Sequence, residues 1–437
     1  MSSADELGFP VSLLTSAELP AIDRHMAETG TSGYVLMERA GAAVAREVAK
    51  FAPDSRRIVV VSGPNNNGGD CICAARILRD NGRDVTLALF AEPAQLPKDP
   101  AKAASTWNGP TVAASPSALD GADLIVDGLY GGGVKHDITG DAAAIVSAIN
   151  ASPARVLSVD FPTGISGVTG AVLGTAVRAD RTITFFCLKP GQLLVPGRSH
   201  CGPVVVDSIG IPPSVMDTVI PKAFHNRPGL WRSSLPLSVP SPARVLVGSS
   251  PFVAAGVQAV GAASVGQPKD AQAMAGVDGS ESCAGDVPIA ISAATIRRSD
   301  LARLRGQGRP VVLVITGERF AGMYDDVSGA SMLERVKIAA EKDGVIVVHL
   351  GADRIVAAPD GRGAISNNAP EESVTEELCD IVTGSLAGLL GRRMPSFEAA
   401  AAATWLLGQG QSTPAADATS LASGISKALL GIRELTR

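Results

Sequence analysis

The chain has 437 residues, a formal net charge of -5 and a 46% share of hydrophobic residues. That length predicts two or three domains with proper cores, and the acidic balance argues against nucleic acid as the main partner. No apolar run approaches the ~20 residues of a membrane span. The opening MSSADELGFPVSLL has neither the positive n-region of a secretory leader nor the arginines of a transit peptide. A cytoplasmic protein without a membrane partner is expected. Cys71, Cys73, Cys187, Cys201, Cys283 and Cys379 are scattered, with no second close pair at zinc spacing. They read as reduced, mostly buried thiols.

Two helical patterns come first, over 16–29 and 35–51, with Ser16 and Glu18 at the start of the first. Strand-like runs follow: RIVVVSG, VTLALF, DLIVDGLY, RVLSVDFPTG, RTITFFCL and PVVVDSIGIP. Continuous Val/Ile/Leu runs separated by helical or loop segments predict a mostly parallel sheet covered on both faces. Ligands of such sheets sit at the carboxyl ends of the strands. Prolines punctuate the chain from Pro212 to Pro242, which reads as a linker or an irregular crossover. A second α/β series comprises RVLVGSS, VPIAIS, RPVVLVITG, VIVVHLG and RIVAAPDG, with a polar, Gly-rich stretch over 261–286. Asp360-Gly361 is a hairpin turn signal. Helical patterns over 376–390, 396–407 and 418–435 close the chain. His25, His200, His225 and His349 have no partners at metal spacing.

The segment GPNNNGGD, Gly63 to Asp70, lies between the first strand and a helical pattern. It matches the G-x-x-x-x-G of a P-loop, but Gly69-Asp70 stands where Lys-Ser/Thr would neutralise a triphosphate and hold magnesium. It is not G-x-G-x-x-G either. The helix N-terminus that follows can hold a phosphate. Asparagine oxygens with one carboxylate also suit a weakly held hard cation, including a monovalent one. The alternative is that the asparagines only shape turns. Asp127 and Asp160 each end an apolar strand, an expensive place for a carboxylate without partners. Thr163 adds an oxygen nearby. Gly131-Gly132-Gly133 is either a close-approach loop or a flexible turn. Lys189 either sits beside apolar residues as a proton-transfer group or is a surface lysine at a strand end. His136 and Asp137 are ligand contacts or simply solvated.

Together GPNNNGGD, IVDGLYGGG, VDFPTGISGVTGAVLGTAVRAD, TFFCLKPG and VVVDSIGIP resemble the NAD(P)H-hydrate epimerases, nearly unbroken from Leu14 to Pro212. LTSAELPAIDRHMAETG and LMERAG are similar to that family's opening helices. The resemblance implies a Rossmann-like, three-layer α/β domain. It implies an isomerase that interconverts the R and S epimers of NADHX and NADPHX, the hydrated forms of the reduced nicotinamide cofactors. It also implies one potassium ion (K+), held by Asn67, Asp127 and Thr163, where the family usually has Ser at the last position. Substrate contacts would be Asn66, Asn67, Gly68, Gly69 and Asp70, the loop Gly131, Gly132, Gly133, Val134, Lys135, His136 and Asp137, and Asp160. Asp160 and Lys189 would transfer protons. Asn65, commonly Gly in the family, and Cys71, where Gly follows, are departures outside this set.

The second half is similar to the ADP-dependent NAD(P)H-hydrate dehydratases, which are ribokinase-like α/β domains. RVLVGSS, DIVTGSLAGLLG and SFEAAAAATWLLGQG carry that likeness. The dehydratase glycines before the catalytic Asp are replaced by Glu376-Glu377-Leu378-Cys379 before Asp380. Ser292-Ala293-Ala294-Thr295-Ile296 stands at its Asp-Ala-Asp-Ala-Leu, Ile315-Thr316-Gly317-Glu318 at its His-Pro-Gly-Glu, and its strand lysine falls near Leu350. We therefore expect an epimerase domain over 1–215, a Pro-rich linker over 216–242 and, over 243–437, a dehydratase-related domain whose site is lost. Asp380 would be a relic or a helix-surface residue, and the domain a dimerisation, scaffold or regulatory module of a homo-oligomer. Two alternatives stay open: a bifunctional repair enzyme using ADP or ATP in its second half, and a non-catalytic scaffold built on both folds.

Overall fold

The computed structural model describes residues 11–15, 18–236, 241–276, 287–371, 374–411 and 418–434. Ser16 and Cys283 lie outside them. The chain divides into two compact units, Met1–Pro221 and Lys222–Arg437.

The first unit opens with helices α1 (Leu19–Glu28) and α2 (Gly33–Phe51). The Ser32 side chain caps α2 by accepting from the Val35 amide, which satisfies one of the orphan donors of a helix start. Leu36, Ala40, Val44 and Val48 recur at helical spacing and are buried. Strand β1 (Arg57–Ser62) leads into α3 (Asn66–Asp80), and then follow β2 (Asp84–Leu89), α4 (Lys98–Thr106), β3 (Thr111–Ala113) and β4 (Leu124–Gly128). After α5 (Gly140–Ala151) come β5 (Arg155–Val159), β6 (Arg181–Phe185) and β7 (Val204–Asp207). The sheet order is β3-β2-β1-β4-β5-β6-β7, and every pairing is parallel. Separate apolar cores lie on its two faces. Both faces being covered explains why β4, LIVDG, is buried throughout. The register sets Val61 beside Asp127 and Asp127 beside Ser158, so the carboxyl ends of β1, β4 and β5 form one edge. The strand order reverses between β1 and β4, where doubly wound sheets place their ligands.

The second unit is also α/β. Its described strands are β8 (Ala223–His225), β9 (Arg244–Val247), β10 (Ala263–Val265), β11 (Ala273–Ala275), β12 (Ile289–Ser292), β13 (Val311–Thr316), β14 (Ile346–Leu350), β15 (Arg354–Ala357) and β16 (Gly363–Ser366). They run in the order β8-β16-β15-β14-β13-β12-β11-β9-β10. The pairs β14–β15 and β15–β16 are antiparallel and the others parallel. Helices α6 (Pro251–Ala259), α7 (Arg298–Gly306), α8 (Gly317–Met323) and α9 (Met332–Asp343) connect strands, and α10 (Glu376–Leu390), α11 (Ser396–Gly410) and α12 (Ala418–Glu434) close the chain. Helices α6 and α10 meet backbone to backbone: a Cβ on Gly384 would lie 2.0 Å from the Val253 carbonyl oxygen, and one on Gly256 2.1 Å from that of Ile381. Only glycine permits that approach.

One expectation changes. The segment 216–242 is not a free linker, because it supplies β8 to the second sheet and a fully buried Trp231 to its core. The polar stretch over 261–286 contains β10 and β11, and Met274 is fully buried. The Asp360-Gly361 turn joins β15 and β16, with Gly361 at a φ of +86° and Asp360 accepting from the Arg362 amide. Among the described residues no helix is long and apolar enough to cross a membrane.

Candidate active site

In the first unit, the segment GPNNNGGD turns directly into α3, and its three asparagines have different fates. Asn65 caps the helix: its Oδ1 accepts from the Gly68 amide at 3.2 Å and its Nδ2 donates to the Leu129 carbonyl at 3.2 Å. Asn66 is exposed. Asn67 is buried, and neither its Oδ1 nor its Nδ2 has a hydrogen-bond partner. A buried amide without partners costs a few kcal/mol.

Asp127, fully buried on β4, is dressed by donors. Its Oδ2 accepts from Ser158 Oγ at 2.8 Å and the Thr163 amide at 2.9 Å, and its Oδ1 from Thr163 Oγ1 at 2.6 Å. Thr163 Oγ1 also accepts from the Tyr130 amide at 3.0 Å. Burial pushes the Asp127 carboxyl above its ordinary value, and the Thr163 and Ser158 bonds hold it partly down.

Asp160 follows β5 with a φ of +63°, a left-handed conformation that Asp tolerates better than most residues. Its Oδ1 receives Lys189 Nζ at 3.0 Å and Thr184 Oγ1 at 3.1 Å, and its Oδ2 receives the Gly132 amide at 3.1 Å. Lys189 is only 6% exposed, which excludes the surface reading. Burial raises the Asp160 carboxyl, but the Lys189 ammonium and these bonds more than reverse it, and the net shift is downward. Asp160 is therefore a carboxylate at neutral pH. Asp70 goes the other way: burial and the neighbouring Asp160 charge push it well above the ordinary range, against a smaller downward pull from Lys189. A Cβ on Gly131 would lie 2.8 Å from Asp160 Oδ2 and 3.4 Å from Asn67 Cγ, so a bare glycine is what lets the loop pass this close to those two side chains. Lys135, His136 and Asp137 are exposed on the loop beyond.

The structure thus gathers Asn67, Asp70, Gly131, Asp160 and Lys189 at one sheet edge, with the Asp127–Thr163 pair on the same edge. It also brings in residues that the motif reading missed. Thr184 is fully buried and links Lys189 to Asp160, while Gln192 is 1% exposed. The second threonine of TITFF, at the carboxyl end of β6, is the signal for the first. Among the described residues no three His, Cys, Asp or Glu side chains gather as a metal site. The five described cysteines are free and buried.

In the second unit Asp380 sits in the second turn of α10. Its Oδ2 accepts from Ser250 Oγ at 2.6 Å. Burial raises its carboxyl, opposed by hydrogen bonds from Ser250 and Ser292. It is half-buried and bridged to the ends of β9 and β12, not a free helix-surface residue. Glu376 and Glu377 occupy the first turn of α10, and Glu376 is ion-paired with Arg319.

A parallel α/β sheet with a hydrogen-bonded carboxylate–ammonium pair at its switch-point edge defines an enzyme-like site. The family profile described as YjeF-related protein N-terminus matches residues 33–191. A protein of Levilactobacillus brevis named NAD(P)H-hydrate epimerase is 40% identical over 202 residues, 45% of this chain and 94% of that protein. The chain belongs to the NAD(P)H-hydrate epimerase family. A protein of Thermofilum pendens named bifunctional NAD(P)H-hydrate repair enzyme is 37% identical over 223 residues, 48% of this chain but 43% of that protein. The chain thus spans under half the length of that bifunctional relative. A solved ADP/ATP-dependent NAD(P)H-hydrate dehydratase of Bacillus subtilis aligns with 86% of this chain and 91% of its own at 11% identity and a TM-score of 0.24, too slight a likeness to build on.

Proposed function

We propose that the first unit is an NAD(P)H-hydrate epimerase, interconverting the R and S epimers of NADHX and NADPHX. The observation that carries this reading is the Asp160–Lys189 pair packed against the bare backbone of Gly131, in a chain 40% identical to a protein of that name. The phosphates of the dinucleotide would lie against the first turn of α3, at Asn66 to Asp70, where helix amides favour anions. The loop from Gly131 to Asp137 would border it. At the hydrated carbon either the ring nitrogen's lone pair forms C=N and expels the hydroxyl, or the hydroxyl oxygen's pair forms C=O as the C–N bond breaks and opens the ring, and the planar centre then re-forms on either face. The protein's part is to orient the ring and to move a proton at Asp160, with Lys189 beside it.

Potassium fits the residues present. Asn67 offers a buried carbonyl oxygen without a partner, and Asp127 and Thr163 add a carboxylate and a hydroxyl. These three would hold the ion, which would neutralise the buried Asp127 charge and tie α3 to the loops after β4 and β5.

The second unit is read as carrying no dehydratase activity. Glu376 and Glu377 fill the helix N-terminus where nucleotide phosphate would need bare amides. Equilibration of purified NADHX epimers, compared with and without the chain and in KCl against LiCl, tests the reading. Potassium-dependent acceleration supports it, and a buffer rate in both salts refutes it.

A further inference from the structure

Resting on the site reading above, we propose that Lys189 is a positioning residue rather than a proton donor, and that Asp160 Oδ2 alone exchanges the proton. A lysine ammonium has three N–H bonds and no acceptor. Lys189 Nζ donates to Asp160 Oδ1 at 3.0 Å, to Thr184 Oγ1 at 2.5 Å and to the Phe185 carbonyl at 3.2 Å. All three protons are committed inside the protein, and none faces outward.

The Asp160 carboxylate is unevenly engaged. Oδ1 takes two donors, from Lys189 and Thr184, while Oδ2 takes one, the Gly132 amide at 3.1 Å. The spare capacity is on Oδ2, the oxygen that lies 2.8 Å from the point a Gly131 Cβ would occupy. Gly131 carries no side chain to cover the one oxygen that can still accept.

The frame extends to the backbone. Gln192 Nε2 donates to the Asp160 carbonyl at 2.8 Å, and its Oε1 accepts from the Lys189 amide at 2.9 Å. One buried side-chain amide thus ties together the main chain of both residues and fixes the left-handed Asp160. Thr184 makes the matching tie between their side chains. Neither residue is in the set transferred from the family resemblance.

On the dehydration route the nitrogen lone pair forms C=N as the C–O bond breaks, and the leaving oxygen takes its proton from the minor protonated fraction of Asp160, at Oδ2, and departs as water. A water lone pair then forms the C–O bond on the other face of the planar carbon, the C=N pair returns to nitrogen, and the water's proton passes back to Oδ2. Lys189 stays an ammonium throughout.

The test uses the full chain with Thr184→Val, Thr184→Ser and Lys189→Met, following epimerisation of NADHX across pH. Thr184→Val is expected to lower kcat at least tenfold with KM held within twofold, and Thr184→Ser to restore kcat to within threefold. The groups facing the Lys189 ammonium are Asp160, Asp70 from α3 and Cys187. Any alkaline limb of kcat in the wild type is expected to survive in Lys189→Met. Its disappearance, or a wild-type kcat in Thr184→Val, overturns the proposal. A second readout needs no substrate: in protein labelled with 15N-lysine, the Lys189 ammonium protons should exchange slowly with water, and faster in Thr184→Val. Slow exchange in a chain that does not epimerise NADHX would sink the reaction and leave the frame standing. Fast exchange in the wild type would sink the frame.

Discussion

Thr163 Oγ1 donates to Asp127 Oδ1 at 2.6 Å, and the Thr163 amide to Oδ2 at 2.9 Å, so one residue serves both oxygens of a fully buried carboxylate. Burial raises the Asp127 carboxyl above its unfolded value, so its contribution to stability declines as pH rises past that unfolded value, ~3.9. Thr163→Val removes a donor and enlarges the loss. Equilibrium unfolding in urea should show the variant about 2–3 kcal/mol less stable at neutral pH, with the gap narrowing as pH falls through the raised folded values and constant below ~3.9. Thr163→Ser should stay near wild type.

Asn67 supplies the second expectation, since its buried amide has no protein partner. If it holds potassium, KCl should raise the melting temperature over LiCl at equal ionic strength. The gain is about 2.7 kcal/mol at a hundredfold excess over Kd. Asn67→Leu should abolish the difference between the two salts while folding normally. Differential scanning calorimetry decides it, and an equal response in wild type and variant removes the ion from the account.

Asp70 is raised by burial first and by the Asp160 charge second. The folded chain then keeps a proton that the unfolded chain has lost, and stability falls as pH climbs through that window. Asp70→Asn should be more stable than wild type at pH ~7. The two should converge near pH ~3, below both pKa values. A variant that is equal or weaker at neutral pH contradicts this.

The alternation of strands and helices over the first unit was readable from continuous β-branched runs. So was the clustering of Asp127 and Asp160 at one edge, because both close apolar strands. The individual duties in Asn65-Asn66-Asn67 were not, since local sequence does not say which turn of α3 faces inward. Lys189 looked equally suited to a surface. Only the placement of Thr184 and Asp160 on adjoining strands, with Phe185 O beside them, buries and pairs it. Strands β10 and β11, ASV and AMA, lack long apolar runs and exist because β9 lies between them as a template. The inward-bonded Asp380 depends on Ser250, 130 positions earlier, a contact that no local pattern encodes.

For the second unit, Glu376 beside Arg319 and Glu377 at the head of α10 predict that neither ADP nor ATP binds. Isothermal titration with magnesium and either nucleotide should give no heat above dilution at millimolar concentration. Recovery of NADH from NADHX in the presence of ADP would show the second half to be a working dehydratase.

The most direct test of the central claim is chiral separation of NADHX epimers over time with the wild-type chain and with Asp160→Ala. Rapid equilibration by the wild type, reduced to the buffer rate in the variant, is the predicted result. Equal rates in the two would show that the Asp160–Lys189 pair does not carry the reaction.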